Sequence, residues 1–146
     1  MGDEFDDFVR AVEPRLRRAL AGHVPTVAVH DAVAEALAYA WEHWAEVRTY
    51  ENAGGYLFRV AQSRARVRLD GALPEPERGR LPHVEPGLVA AMRALPAQQR
   101  SVVWLVHACD FTYAEAAEAL GISASAVGTH LSRGTTALRA SLGVAP

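Results

Sequence analysis

The seventeen residues 71–87, GALPEPERGRLPHVEPG, constrain this chain more than any other stretch. They hold Pro74, Pro76, Pro82 and Pro86. Proline lacks an amide donor and its ring clashes with the preceding turn, so no long helix runs through them. On either side the pattern is helical, with no strand-like alternation punctuated by turns and no internal repeat. The fold class is therefore all-α: two small helical domains, residues 1–70 and 88–146, joined by a Pro/Gly-rich linker at 71–87.

In the first block, Phe5, Phe8, Val9, Val12, Leu16 and Leu20 recur at spacings of three and four and predict a helix with one apolar stripe. Pro14 falls inside it and is expected to kink the helix or delay its start. Gly22 and Pro25 stop it. A second stripe runs through Val33, Leu37, Ala40, Trp41, Trp44 and Val47. Asn52, Gly54 and Gly55 predict a loop, and a third helix follows from about Tyr56 to Leu69 with Tyr56, Val60 and Val67 toward the core.

In the second block, Leu88, Met92 and Leu95 predict a short helix stopped near Pro96. The next carries Val102, Val103, Leu105, Val106 and Cys109. Thr112, with Glu115 three residues on, is a capping box that opens a helix ending at Gly121. Ser123 caps the last helix, which carries Val127, Leu131, Leu138 and Leu142.

The segment TYAEAAEALGISASAVGTHLSRG reads as a DNA-type helix-turn-helix. Ala117 is small where two helices cross, Gly121 relieves the turn, and Ile122 and Val127 plug the inside corner. The second helix is then held proud, able to enter a major groove. Ser125, Gly128, Thr129 and Ser132 avoid its buried stripe, and short hydroxyls can bond phosphates or base edges. Arg133 is the only long cation in its first three turns, and His130 can reach a phosphate or simply be solvated.

Composition matters here because the total charge misleads. The formal net charge is −2, with 15 Arg and no Lys. Yet residues 1–55 hold five Arg against ten acids, while 56–69, YLFRVAQSRARVRL, hold four Arg and no acid. Arg59 and Arg66 share one face of that helix and Arg64 and Arg68 another, with Phe58 nearby. Arginine beside aromatics suits single-stranded or melted nucleic acid. Asp31, Glu35, Glu42 and Glu46 form the opposite feature, a narrow acidic ridge without interleaved Arg. It is either solvated or docks on a basic protein surface.

The run ALPAQQRSVVWLVHACDFTYAEAAEALGISASAVGTHLSRGTTALRASL resembles the promoter-distal domain of bacterial sigma factors of the extracytoplasmic-function class. DAVAEALAYAWEHW resembles their polymerase-clamp helix, and YLFRVAQSRARVRL their segment that opens and reads the promoter-proximal element. The resemblance implies that Asp31 and Glu35 touch core RNA polymerase, and Glu42 on the same ridge is assigned to that contact with them. It also implies that Arg59, Arg64, Arg66 and Arg68 lie near the melted strand, and that Ser125, Thr129 and Arg133 face the upstream promoter element; Gly128 and His130, read from the same helix face, are assigned to the DNA with them. It admits an anti-sigma factor as a further partner. The chain departs from the family's usual residues at Ala34, Tyr56, Ser63, Val67, Ala126, Gly128 and His130.

Two other readings stand beside this one: a helix-turn-helix regulator acting without polymerase, and a sigma-like interaction protein with weakened DNA contacts held by a regulator. An enzyme is not expected, since His107, Cys109 and Asp110 lack paired zinc-ligand spacing and Cys109 fits an apolar stripe. No cofactor or metal is implied. One cysteine, an acidic N-terminus and no long apolar run suggest a cytoplasmic chain without membrane insertion.

Overall fold

The computed structural model describes residues 2–68 and 86–143, excluding the side chains of residues 66–68 and 86. Among them lie eight α-helices and no strand. In the first block these are α1 (Gly2–Ala21), α2 (Thr26–Glu42), the single turn α3 (Trp44–Val47) and α4 (Ala53–Arg68). The second holds α5 (Pro86–Ala94), α6 (Ala97–Val103), which runs on as a π-helical turn over Trp104–Ala108, α7 (Tyr113–Leu120) and α8 (Ala124–Leu142).

Five expectations need correcting. The first helix starts at Gly2 and carries Pro14 inside it, so proline does not delay its start. Val12, Leu16, Ala19 and Leu20 are buried along one face around it. Burial of such a stripe outweighs one missing backbone bond. The second pattern is split at His43 (φ −113°, ψ 27°), which places Glu46 on α3. Trp41 is 52% exposed, because the buried face of α2 is made instead by Ala28, Val29, Ala32, Val33, Ala36 and Ala40. On α4 the buried residues are Leu57, Phe58, Ala61 and Ala65, while Tyr56 and Val60 lie half-buried on its flank. Gly54 and Gly55 belong to the first turn of that helix rather than to a loop.

Small residues explain both misplaced faces. Alanines repeat every four positions on α2 and line α4, and these two helices pack together. Alanine lets backbones approach closely but contributes little apolar area, so hydrophobic periodicity underweights it beside Trp41 or Tyr56.

The two blocks share one core. Leu16, Leu20 and Phe58 from the first belong to the same buried cluster as Val102, Leu105, Phe111 and Val127 from the second. Helix α7 lies against α4, and the π-helical turn lies against α1. The approach is tight at Gly55, where an added Cβ would sit 2.3 Å from the Glu115 carbonyl oxygen.

Polar bonds stitch the same seam. Arg15 Nη2 donates to Glu115 Oε1 at 2.7 Å and to the Asp110 carbonyl at 3.1 Å. Its guanidinium also covers the Phe111 ring at 4.9 Å. Trp104 Nε1 donates to the Arg18 carbonyl at 3.2 Å.

Candidate nucleic-acid interface

The helix-turn-helix is built from local rules. Glu115 N donates to Thr112 Oγ1 at 3.0 Å and Thr112 N to Glu115 Oε1 at 3.0 Å, closing the expected capping box. Burial opposes ionisation of Glu115, but the bonds from Arg15 and Thr112 prevail and hold its carboxyl below the usual range. Helix α7 ends at Gly121 in the left-handed region (φ 67°). Such a φ favours glycine because it has no Cβ to clash. Ile122 N then donates to the Ala117 carbonyl at 3.1 Å, and Ser123 Oγ accepts from Ala126 N at 3.1 Å to start α8.

Helix α8 turns Val127 and Leu131 inward, together with Gly134. Ser125, Thr129, Ser132 and Arg133 are left exposed along its outer side. Thr129 Oγ1 donates to the Ser125 carbonyl at 3.1 Å, and the Ser125 and Ser123 hydroxyls lie 3.2 Å apart. Gly128 is half-buried beneath the exposed ring of Tyr113, whose Cε2 lies 3.6 Å from where a Cβ would be. His130 is half-buried with its Nδ1 shielded from solvent and without a partner. That arrangement places its Nδ1 toward the protein, so at most its other nitrogen is turned outward.

The Arg-rich helix is α4. Arg59 and Arg64 are exposed, and Arg59 Nη1 lies 3.6 Å from Glu118 Oε1 on α7. Arg66 and Arg68 fall in the same helix, but their side chains lie outside the described residues. Phe58 is fully buried with His23 edge-on at 4.9 Å, so no base can stack on it. The accessible aromatics are tyrosines that the sequence reading did not place at the site. Tyr50 packs edge-on to Tyr56 at 5.0 Å, and the Tyr39 and Tyr56 hydroxyls are 2.9 Å apart. The Tyr39 bond, with burial, pushes the Tyr56 phenol up to about 12. Tyr50 and Tyr56 line a cleft of about 420 Å³ with Thr49, Glu51, Asn52 and Glu118. The clue in the sequence was the cluster of Tyr50, Asn52 and Tyr56 at the head of the Arg-rich helix.

Of the acidic ridge, Asp31 and Glu42 are exposed on α2, Glu35 is half-buried there, and Glu46 lies apart on α3. The structure adds an apolar strip beside it, since Val27 is 82% exposed and Ala34, Ala38 and Trp41 are exposed on the same helix. Phe5 holds the Trp41 ring edge-on at 4.9 Å. Among the described residues, no helix is long and apolar enough to cross a membrane, and no group of three metal-ligating side chains is placed to hold an ion.

An all-helical chain with a capped helix-turn-helix and a separate Arg-rich helix has the makings of a DNA-binding protein. Comparison with known proteins makes the class definite. A family model for sigma-70 region 4 matches residues 87–138. The RNA polymerase sigma-E factor of Streptomyces antibioticus is 33% identical over 152 aligned residues, covering 95% of this chain and 84% of that protein. The chain belongs to the extracytoplasmic-function class of the sigma-70 family, and it is a sigma factor directing promoter recognition and transcription initiation.

Solved structures agree on the fold. The sigma factor RpoE, crystallised with the anti-sigma factor NepR from Bartonella quintana, superposes with a TM-score of 0.70 at 24% identity, covering 98% of this chain and 99% of that one. CnrH, in complex with the cytosolic domain of CnrY, gives a TM-score of 0.66 at 22% identity, covering 98% and 90%.

Proposed function

We propose that the chain divides its work at residues 71–87. The block over 1–70 binds core RNA polymerase and the promoter-proximal element, and the block over 88–146 binds the promoter-distal element. The observation that carries this reading is the outer side of α8. Its exposed groups are short hydroxyls and Arg133, while its apolar stripe is spent on the corner of the helix-turn-helix. Such a surface suits a nucleic-acid groove.

In this reading Ser125, Thr129 and Arg133 meet base edges and phosphates, with Gly128 allowing close approach and His130 packing beneath. Arg59, Arg64, Arg66 and Arg68 track the backbone of the opened strand. Tyr50 and Tyr56 take the stacking role that the buried Phe58 cannot fill. Asp31, Glu35 and Glu42, with Val27 and Trp41 alongside, dock on polymerase. The chain performs no bond chemistry and works in the cytoplasm, where polymerase is.

An anti-sigma factor is a further partner on this reading. RpoE of Bartonella quintana is seen with one, and here the two blocks already lie together. The proposal is tested by mixing the chain with core polymerase and scoring promoter-dependent transcripts. Transcripts should appear, and Asp31→Lys with Glu35→Lys should reduce polymerase binding while helix content is kept. No polymerase binding by the unmodified chain overturns the reading; binding without initiation points to a sigma-like protein held inactive.

A further inference from the structure

The outer side of α8 has a gap in its middle. Ser125, Gly128, Thr129 and Ser132 follow the helical repeat and share one face. Three of them carry a hydroxyl, and Gly128 carries no side chain at all. Arg133 is the only long cation in the first three turns, so this face holds few groups for a charged backbone.

Tyr113 covers that gap. Among the described residues the large apolar side chains left exposed are Val27, Trp41, Tyr50 and Tyr113, and only Tyr113 belongs to the second block. Its ring is 47% exposed, and its Cε2 lies 3.6 Å from where a Gly128 Cβ would stand. That distance is ordinary van der Waals contact, so the ring rests on the bare backbone of α8 without strain. A side chain at 128 reaching past Cβ would need the space that the ring takes.

The backbone that carries the ring is fixed. Thr112 is the N-cap of α7, and its reciprocal bonds with Glu115 set where the helix begins. Tyr113 is the first residue of α7 and reaches from there to the middle of the outer face of α8. Only two torsions place a tyrosine ring, so little freedom is lost when it is held against a partner.

We propose that Tyr113 is a DNA-positioning residue: its hydroxyl donates to a phosphate at the edge of the groove that α8 enters, and its ring supplies the wall that Gly128 lacks. The inference rests on the reading of α8 as the groove-entering helix. In a helix-turn-helix the first helix crosses the sugar–phosphate backbone while the second enters the groove. Helix α7 is that first helix, and a side chain at its start that also touches the middle of α8 stands where backbone and groove meet. There the phenol O–H donates and a phosphate oxygen accepts. Such a contact fixes how deep and in which register α8 sits, without reading a base. It is neutral on the protein side, so it adds affinity without releasing a further counterion.

The test uses the full chain bound to core polymerase, with a promoter duplex that this same complex enriches from a random-sequence library. Tyr113→Phe should weaken duplex binding by about tenfold, the share of one hydrogen bond to a charged group. Polymerase binding, helix content and the slope of log affinity against log salt should all be kept. Gly128→Leu takes the place of the ring and brings no hydroxyl, so it should lose at least as much, and adding Tyr113→Phe to it should cost little more. Methylphosphonate introduced phosphate by phosphate along the duplex should reveal one position where the unmodified chain loses more than Tyr113→Phe does. Equal affinity of Tyr113→Phe and the unmodified chain overturns the proposal, as do additive losses in the double variant or identical methylphosphonate profiles. Loss of polymerase binding in Tyr113→Phe places the ring on polymerase and overturns it too. If the unmodified complex enriches no duplex, the reading of α8 falls and this inference with it; in every other failure that reading stands.

Discussion

Gly55→Ala should loosen the seam between the blocks, and Gly54→Ala beside it should not. At Gly55 an added Cβ would meet the Glu115 carbonyl oxygen at 2.3 Å, Glu118 Cβ at 3.1 Å and Ala119 N at 3.2 Å. Two of these are α7 backbone atoms, which no rotamer change can move. Restoring ordinary contact requires α7 to retreat by about 1 Å, since non-bonded heavy atoms rest at about 3.5–4 Å. Overpacking of this kind costs about 1–3 kcal/mol. The retreat also loosens the buried Ala116 and Ala119 and stretches the 2.7 Å Arg15–Glu115 bond.

Against that stands the gain from replacing glycine in a helix, up to about 1 kcal/mol. The net loss for Gly55→Ala is therefore about 0–2 kcal/mol. At Gly54 the added Cβ meets only side-chain ends: Glu115 Oε2 at 3.1 Å, Val12 Cγ2 at 3.7 Å and Arg15 Nη1 at 3.8 Å. These can give way, so the helix gain remains and stability holds or rises. Urea unfolding of the two variants beside the unmodified chain isolates the backbone clash, because both carry the same propensity gain. Amide exchange should rise over α7 in Gly55→Ala alone. A Gly55→Ala midpoint equal to or above that of Gly54→Ala would refute the account of the seam.

Three further outcomes follow from particular groups. Arg133→Ala should weaken promoter binding and lower the slope of log affinity against log salt by about 1, as one lost phosphate contact does; an unchanged slope places Arg133 off the DNA. Glu115→Gln should destabilise the chain by about 1–2 kcal/mol near neutral pH through the Arg15 and Thr112 bonds. Because the Glu115 carboxyl is held low, that difference should shrink as pH falls below about 4.5, which denaturant midpoints at pH 7 and 4 will show. Burial pushes the Cys109 thiol up to about 12, so iodoacetamide should label it only when denaturant opens the fold; rapid labelling of the native chain contradicts its placement.

How much of this was legible in the sequence depended on how local the cause was. The capping box at Thr112 and Glu115, the left-handed Gly121 and the Ser123 cap are set by residues within four positions of each other, and all stand as read. The buried Val127 and Leu131 follow from a helix with one inward face. Helix α4 was misread because it packs against α2, α7 and α1 at once. Its buried face includes Ala61 and Ala65, and Gly55 makes a close approach to α7, so small residues carry much of the packing. Gly54 and Gly55 looked like a turn because glycine in isolation signals conformational freedom. Here Gly55 is needed for space against a partner some sixty residues away in sequence, which no local window contains.

The closed seam also bears on how the DNA-facing charges are used. On the proposed reading Arg59 belongs to the opened strand, yet here it faces Glu118 at 3.6 Å. It cannot serve both at once. The two side chains are 53% and 38% exposed, so the pair is worth at most about 1 kcal/mol. A phosphate, which bonds arginine more strongly through charge-assisted contacts, displaces Glu118 at little cost. The firmer bonds of the seam run through Arg15, Trp104 and His23, none of which is assigned to DNA or polymerase. Among the described residues, closure and DNA binding thus compete directly at the weak Arg59–Glu118 contact. The larger part of the seam is the apolar packing of α4 on α7 and the shared core around Phe58, so closure is set by residues other than the exposed arginines of α4.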